Sequence, residues 1–302
     1  MMIGMRYHVV SLAAALFALA AGVALGSGPL DNTVNAAFGV EQLREEKDQL
    51  AADVAQQQAV ATFADSYADT TQPLVLPGRL TEASVVIVTA ADAPPAMVDA
   101  AREALVAADA TVTGVLTLTD AYTDPEQASV LGGLVDRLAT GELPDGTTGE
   151  RAATALATAL LSEETGGAAL AETDEALLAG LAEVGMVTPV APVTARAGAA
   201  LVLVGTSSGD SARDAVLPLL RAFADSGAGT ELAGPVGSAA NSGLVAALRA
   251  DEDLRRLVAS TDAADISAGR IVTVVALAQA LEGNIGHYGT GPGTTTAAPP
   301  LD

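Results

Sequence analysis

The sequence contains no cysteine, which excludes disulfides, iron–sulfur clusters, thiolate zinc sites and cysteine nucleophiles. It contains two histidines, His8 and His287, so a metal site with three histidine ligands cannot form within one chain. Tryptophan is absent and aromatic residues make up 3% of the chain, although half of all residues are apolar. The core must therefore be built from Ala, Val and Leu, and such small side chains favour helices packed closely on a sheet.

Basic residues are also few, with 14 Lys and Arg against 37 Asp and Glu, and the formal net charge is −23. A nucleic acid would be repelled by this charge, so nucleic-acid binding is excluded as a function, and docking on an anionic membrane surface is disfavoured. An acidic surface provides solubility, and attraction for cations is a second interpretation that charge alone does not establish.

A long apolar run lies near the N-terminus, where no charged residue occurs from Val9 to Gly26. A bilayer core needs about 20 helical residues, so this run sits at the lower limit for a span. Arg6 precedes the run and Asp31 follows it, and this asymmetry predicts a cytoplasmic N-terminus with the remainder exported. Residues 1–30 are thus predicted to form an uncleaved membrane anchor. Its hydrophobic side chains are Val9, Leu12, Leu16, Phe17, Leu19, Val23 and Leu25.

Two alternatives for this run stay open. Ala18-Leu19-Ala20 has the small-x-small form that a signal peptidase reads, although cleavage there would leave a short apolar region of about ten residues. A buried core helix is the other alternative, and the extreme N-terminal position behind a basic residue disfavours it. Under the first two interpretations the bulk of the chain is exported.

A short heptad pattern follows a Gly/Asn-rich joint at residues 30–39. Six positions follow alternating spacings of three and four, and four of them are apolar while Lys47 and Gln57 occupy the other two, which is the pattern of a short coiled coil. Residues 31–71 are therefore predicted to contain a coiled-coil helix that joins copies of the chain into a homo-oligomer. A single amphipathic helix packed on its own domain is the alternative. The predicted contact residues are Val40, Leu43, Leu50 and Val54.

Residues 72–289 are predicted to form an α/β domain, which begins with a Pro/Gly-rich linker at 72–80. ASVVIVTA, APPAMVDAAREALVAAD and ATVTGVLTLTD predict strand, helix and strand, and the uninterrupted run Val85–Val88 is typical of a buried parallel strand. GAALVLVGT, SARDAVLPLLRAFADSG and GTELAGPV repeat that order. The predicted fold is a mainly parallel sheet flanked by helices and built of two βαβ-containing halves.

Other segments of this domain carry weaker patterns. Helices are predicted over 127–138, 151–161 and 173–184, and again for DEDLRRLVAS and for DISAGRIVTVVALAQALEGN, with Gly283 in the position of a C-cap. SGLVAALRA is predicted to be a strand. The Gly/Thr/Pro-rich ending at 290–302 is predicted to be a disordered tail.

GTSSG at 205–209 matches the G-x-S-x-G pattern of a nucleophile elbow between a strand and a helix. Ser207 would be the nucleophile and His287 the base, with Asp251 or Asp262 as the acid. No HGGG-type oxyanion loop is visible, and the serine comes late for the usual hydrolase sheet. Any strand-to-helix turn favours Gly and Ser, so we interpret this stretch as a turn and predict that the chain is not an enzyme.

Two groups of residues are candidates for contact with a metal ion. At the N-terminus, thioether sulfurs beside an imidazole suit Cu(I), although these residues also simply lead into the apolar run. In NIGHYGTGPG, a His-Tyr pair in a Gly-rich loop is a candidate ligand or gate, and the alternative is that the histidine caps helical carbonyls while the tyrosine packs on the domain. No tightly bound cofactor is expected. The candidates are Met1, Met2, Met5 and His8 in the first group and His287 and Tyr288 in the second.

Taken together, RYHVVSLAAALFALAAGVALGSGPL, the heptad helix, the Ala/Val-rich α/β body and GRIVTVVALAQALEGNIGHYGTG resemble the actinobacterial MctB copper transporter family over nearly the full length. The most specific pieces are H-x-V-S-L-A-A, L-G-S-G and G-H-Y-G-T-G. The resemblance implies a cell-envelope protein that limits intracellular copper, placed in the outer membrane in mycobacteria and acting as a pore for copper.

The apolar run from Val9 to Gly26 and the preceding Arg6 agree with export and membrane association. With one helical span at most, a channel would have to come from an oligomer, organised by the heptad helix. A non-transporting envelope scaffold is the alternative function, and a serine hydrolase using Ser207 is a third.

Overall fold

The computed structural model describes residues 40–206, 209–240 and 242–301. The chain divides into two units, Met1–Phe63 and Ala64–Asp302. The predicted anchor and the N-terminal methionines lie outside the described residues. Within the described ranges, no helix has the length and apolar character needed to cross a membrane.

The heptad segment lies in helix α1 (Val40–Val75), which is longer than the pattern indicated. It runs through Pro73, so the first residues of the predicted linker are helical. In the second unit, the end of α1 is held by Asp65, which accepts a hydrogen bond from the Ser267 N–H at 2.6 Å, and by the buried Ala68. The linker begins only after Val75.

Nine strands occur in the described part of the chain. Seven of them form one sheet in which all neighbours are parallel except one antiparallel edge pair, Thr111–Leu118 with Val187–Ala191. The other two form a small antiparallel pair. The strands are β1 (Ser84–Thr89), β2 (Thr111–Leu118), β3 (Ala168–Ala169), β4 (Val187–Ala191), β5 (Ala195–Arg196), β6 (Ala199–Leu203), β7 (Gly229–Gly234), β8 (Ala259–Asp262) and β9 (His287–Tyr288). The order in the large sheet is β4-β2-β1-β6-β7-β8-β9.

Helices cover both faces of this sheet, as the sequence predicted. They follow α1 as α2 (Pro95–Ala107), α3 (Asp120–Thr123), α4 (Ala128–Leu138), α5 (Thr148–Leu160), α6 (Glu172–Glu183), α7 (Asp210–Asp225), α8 (Leu244–Ala250) and α9 (Ser267–Leu281). Short 3-10 turns occur at Pro125–Gln127, Val236–Ala239 and Leu254–Arg256.

Two apolar layers explain why β1 reads as an uninterrupted Val/Ile run. Val86 and Val88 pack in the layer formed with α4 to α8, whereas Val85 and Ile87 pack in the layer formed with α2 and α9. All four side chains are fully buried. A strand covered on both faces cannot alternate polar and apolar residues, so the prediction of a buried parallel strand is confirmed.

Both predicted βαβ units are present, as β1-α2-β2 and β6-α7-β7, and β1 pairs with β6 to join them in one sheet. The strand order reverses at β1 and β6. At this point Asp92, just after β1, accepts a hydrogen bond from the Gly205 N–H at 3.0 Å. A side chain at position 205 would overlap the Asp92 carboxylate, so glycine is required for this close approach.

Two secondary-structure predictions in the second half are wrong. SGLVAALRA forms α8 rather than a strand, because Leu244, Val245 and Leu248 bury one side of a short helix, and an apolar run of this length does not distinguish the two. DEDLRRLVAS is not an α-helix: it contains the 3-10 turn Leu254–Arg256 and enters β8 at Ala259.

The prediction of a disordered tail is also wrong for residues 290–301, which are hydrogen-bonded to the domain. The Thr295 N–H donates to the His287 carbonyl at 2.7 Å, and the Gly289 N–H donates to the Ala297 carbonyl at 3.2 Å. The Gln279 amide donates to the Pro300 carbonyl at 3.1 Å. The composition of this segment predicted disorder because few of its residues are apolar. The segment is held instead by backbone hydrogen bonds, which composition does not reveal.

Candidate functional site

Four polar side chains meet under the C-terminal segment and are almost completely shielded from solvent. They are Arg249 on α8, Ser260 and Asp262 on β8, and His287 on β9, and we call them the buried polar cluster. The parallel pairing of β8 with β9 places Ser260 opposite His287. Asp262 is the last residue of β8, so the cluster reaches the carboxyl edge of the sheet, where α/β proteins usually bind ligands.

Arg249 is the centre of this cluster and uses all three of its guanidinium nitrogens. Nη1 donates to Asp262 Oδ2 at 2.6 Å and Nε donates to Ser260 Oγ at 2.9 Å. Nη1 also donates to the Pro292 carbonyl at 3.1 Å, and Nη2 donates to the Tyr288 carbonyl at 2.7 Å. Burial lowers the pKa of Arg249, and the hydrogen bond and charge of Asp262 oppose that effect. One side chain therefore holds β8, β9 and the loop after β9 together.

Asp262 binds the glycine-rich loop from the other side. Its Oδ1 accepts hydrogen bonds from the Thr290 N–H at 2.6 Å and from the Gly291 N–H at 3.1 Å. Gly289 has φ of 123°, and a side chain there would overlap the Asp262 carboxylate, whereas a side chain at Gly291 would overlap Ala239. Gly289 thus allows a fixed close approach of the backbone to the Asp262 carboxylate.

His287 has both ring nitrogens in hydrogen bonds. Nε2 lies 2.9 Å from the Arg255 carbonyl, which can only accept, so this network assigns the ring hydrogen to Nε2. Nδ1 then accepts from Ser260 Oγ at 2.9 Å. Burial lowers the pKa of His287, and the positive charges of Arg249 and Arg255 lower it further. The hydrogen bond to the Arg255 carbonyl acts in the opposite direction and raises the pKa. The imidazole is therefore neutral at physiological pH.

A buried carboxyl group lies on the neighbouring strand. Glu231 in β7 is fully buried, and its Oε1 accepts a hydrogen bond from the Thr261 hydroxyl at 2.7 Å. Its Oε2 has no partner among the described residues. Burial raises the pKa of Glu231 well above its ordinary range, which the Thr261 hydrogen bond opposes. Burial also raises the pKa of Tyr288, and the charge of Glu231 adds to that effect.

The predicted metal candidates lie in different surroundings. His287 belongs to the buried polar cluster, so a metal bound to its ring must displace Ser260 or the Arg255 carbonyl. The Tyr288 hydroxyl donates to Gln279 Oε1 at 2.9 Å and lines a cavity of about 480 Å³. In the described ranges, no group of three or more His, Asp or Glu side chains is arranged to hold a metal ion. Met1, Met2, Met5 and His8 lie outside these ranges.

The residues that a serine hydrolase would need as base and acid are engaged in other hydrogen bonds. Ser207 lies outside the described residues, but the base that it would require, His287, is buried and bonded through both nitrogens. Asp262 binds Arg249 and the Thr290–Gly291 backbone instead of an imidazole. In this arrangement the cluster holds a loop and presents no free base.

Helix α1 carries the predicted oligomerisation residues. Leu50 and Val54 are 58% and 49% exposed, so these apolar side chains face solvent in the isolated chain. Val40 and Leu43 belong to the same helix, and their side chains lie outside the described part of the structure. Further along the helix, Val60 and Phe63 are exposed as well.

Sequence reasoning missed the role of Arg249 and the burial of Glu231. Arg249 lies in SGLVAALRA, whose pattern predicts a strand, and the structure places it instead on the helix α8 beside β8. A sequence signal for Glu231 exists, because GTELAG is predicted to be a strand of a parallel βαβ unit and Glu231 is its one carboxylate. Strands of a parallel sheet are covered on both faces, and the structure buries all of β7. A carboxylate in such a strand must be buried whichever face it points to.

The fold and this cluster define an α/β domain preceded by an exposed helix. The family model described as copper transport outer membrane protein, MctB, matches residues 2–299. A protein of Mycobacterium tuberculosis named copper transporter MctB is 32% identical over 314 residues, which cover 97% of this chain and 98% of the relative. A protein of Mycobacterium leprae with the same name is 31% identical over 326 residues, covering 99% and 100% of the two chains. The chain therefore belongs to the MctB family of copper transport outer membrane proteins, and the resemblance seen in its motifs is confirmed.

Proposed function

We propose that this protein acts in the cell envelope to remove copper from the cell, as an oligomer assembled through α1. The observation that carries the proposal is the match to a copper-transport family over nearly the whole chain. In this proposal the N-terminal run from Val9 to Leu25 is the membrane anchor, and copper is cargo that is passed on rather than stored.

Exposed apolar residues support the oligomer. Leu50 and Val54 are four residues apart on one side of α1, which is the spacing of coiled-coil contact positions. Pairing of two such helices would remove both side chains from water, and burial of each large aliphatic side chain contributes about 1.5–3 kcal/mol. The route for copper would then lie in the assembly, with His287, Tyr288 and the N-terminal Met and His side chains as proposed transient contacts.

The test is copper content under copper stress in cells that lack the gene. We expect deletion to raise cell-associated copper and sensitivity to copper, and the wild-type gene to restore both. Unchanged copper content and resistance in the deletion strain would refute a role in efflux.

Two further measurements separate the parts of the proposal. Copper-permeable conductance steps in planar bilayers distinguish a pore from a non-transporting scaffold, which gives none. Mass determination of the protein from fractionated membranes tests the anchor. An intact Met1 or Met2 indicates an anchor, whereas a start near Ala21 indicates a processed leader.

A further inference from the structure

Helix α1 carries a second heptad pattern, which begins after Val54. Between residues 60 and 74, five positions follow alternating spacings of three and four residues. On a helix these spacings place side chains along one side, as in the contact positions of a coiled coil. Four of the five are apolar or aromatic and the fifth is a threonine, and we call them the seam. Its residues are Val60, Phe63, Tyr67, Thr70 and Leu74.

The seam is open to solvent in the isolated chain. Its two aliphatic and two aromatic side chains are between 63% and 83% exposed. Four side chains of this size and exposure offer about 500 Å² of apolar surface per copy. Two copies joined along the seam would therefore bury about 1,000 Å² before any flanking residue contributes, and this is the lower limit for a specific protein interface.

The other side of the same helical turns is bound to the domain. Asp65 Oδ1 accepts a hydrogen bond from the Ser267 N–H at 2.6 Å, and Asp69 Oδ1 accepts one from Arg270 Nη2 at 3.2 Å. These bonds hold the end of α1 against the first turn of α9 and leave Tyr67 exposed. The domain therefore does not cover the seam.

Charge favours a second copy of this chain as the occupant. The net charge of −23 makes two copies repel each other wherever their carboxylates meet. Both carboxylates within residues 60–74 are the two that bind α9, so they point away from the seam. The positions that flank the seam, where like charges would destabilise a coiled coil, are uncharged. They are Ala59, Ala64, Ser66, Thr71 and Pro73.

A lipid surface is a poorer fit for the same face. Helices that lie on a membrane carry Lys and Arg on their polar side, which attract anionic lipid. No Lys or Arg occurs from residue 48 to residue 78, and the polar side of these turns is acidic. The composition of the helix thus favours a neutral, apolar partner surface of its own kind.

We propose that two copies of the chain pair in parallel along the seam, with each seam residue against the same residue of the second copy. The parallel direction follows from the proposed membrane anchor, because helices that leave a membrane on the same side run the same way. The inference therefore rests on the anchor and the oligomer of the proposed function, and it does not depend on copper transport.

The absence of cysteine allows a direct test by cross-linking. The full chain in detergent carrying Thr70→Cys should form a disulfide-linked dimer under mild oxidation, seen on a non-reducing gel and reversed by reductant. Thr62→Cys is the matched control outside the seam. Both threonines are exposed on α1, and each hydroxyl donates to the carbonyl four residues earlier, at 2.8 Å for Thr62 and 2.9 Å for Thr70. Thr62→Cys should cross-link at least about tenfold more slowly, because a disulfide requires Cβ atoms within about 4.5 Å of each other.

A second test removes the seam by charge. Phe63→Asp with Tyr67→Asp places carboxylates of both copies against each other and should lower the molar mass of the oligomer in light scattering. Ala61→Asp with Thr62→Asp adds the same charge to the same turns outside the seam and should leave the mass unchanged.

Three results would overturn the proposal: a wild type that is monomeric, a mass that Phe63→Asp with Tyr67→Asp does not change, or cross-linking of Thr70→Cys no faster than that of Thr62→Cys. None of these results bears on cell copper content. A deletion strain with unchanged copper would refute efflux and leave the seam in place, so the two failures are distinguishable.

Discussion

Arg249 Nη1 lies 2.6 Å from Asp262 Oδ2, and the two side chains are 2% and 0% exposed. A buried ion pair is tolerated only when further hydrogen bonds satisfy both partners. Here one of these bonds goes from Arg249 to Ser260, and the others are made with the segment from Tyr288 to Pro292. The pair thus connects β8 to the glycine-rich loop that follows β9, and the order of the C-terminal segment depends on it.

Replacement of Arg249 by Met should destabilise the protein by about 3–5 kcal/mol, because Asp262 would remain buried without a counter-charge. Urea unfolding measures the loss. The Thr290, Gly291 and Thr295 amides should also lose protection in hydrogen exchange, since their bonds are made to Asp262 and to the strand it supports. Arg256→Met is the matched control, because Arg256 is exposed. A cost below about 1 kcal/mol, as for a surface ion pair, would contradict this role.

His287 should make stability depend on pH. Its pKa is lowered in the folded state from the ordinary value of 6.5, so the unfolded chain binds more protons as the pH falls below that value. The free energy of unfolding should therefore decrease as the pH falls through 6.5 towards the folded pKa. His287→Gln, which does not titrate, should show a smaller decrease between pH 7 and pH 5. An equal decrease in both proteins would rule out this assignment.

Glu231 should act in the opposite direction. Its pKa is raised in the folded state, so the folded protein holds a proton that the unfolded chain releases above about pH 4.5. The contribution of Glu231 to stability is full below pH 4.5 and is lost as the pH rises through the folded pKa. Glu231→Gln keeps an acceptor for Thr261 and should be more stable than the wild type at pH 8, with a smaller gain at pH 5. Glu183→Gln, at an exposed position, should change neither value.

Leu50 and Val54 should control the oligomeric state if α1 joins copies of the chain. We expect the full chain carrying both Leu50→Asp and Val54→Asp to dissociate to monomers in light scattering after size exclusion. Ala52→Asp with Gln56→Asp adds the same charge to the same helix away from the heptad contact positions and should leave the oligomer intact. A wild type that is monomeric at all concentrations would show that α1 does not self-associate.

Most of the fold could be predicted from local patterns. The apolar run Val85–Val88 predicts a buried strand, and the structure has β1 there. The apolar stripe of α2 predicts a helix, and Gly283 predicts a helix end, and the structure has α2 and the end of α9 at these places. The errors occurred where the pattern was short. SGLVAALRA and DEDLRRLVAS are nine and ten residues long, which is fewer than three helical turns and too short to establish a period. The tertiary contacts of α8 and β8 decided the outcome.

Composition and contiguous motifs were enough to predict the family, the acidic and cysteine-free character of the chain, and the alternation of strands and helices. The buried polar cluster could not be predicted in this way, because its four residues are distributed over α8, β8 and β9 and are brought together by the packing of these elements. The tertiary structure also decided that the Gly/Thr/Pro segment after Tyr288 is held in place. Glycines permit both a flexible tail and a close approach to a carboxylate, and the buried charge of Asp262 selects the second.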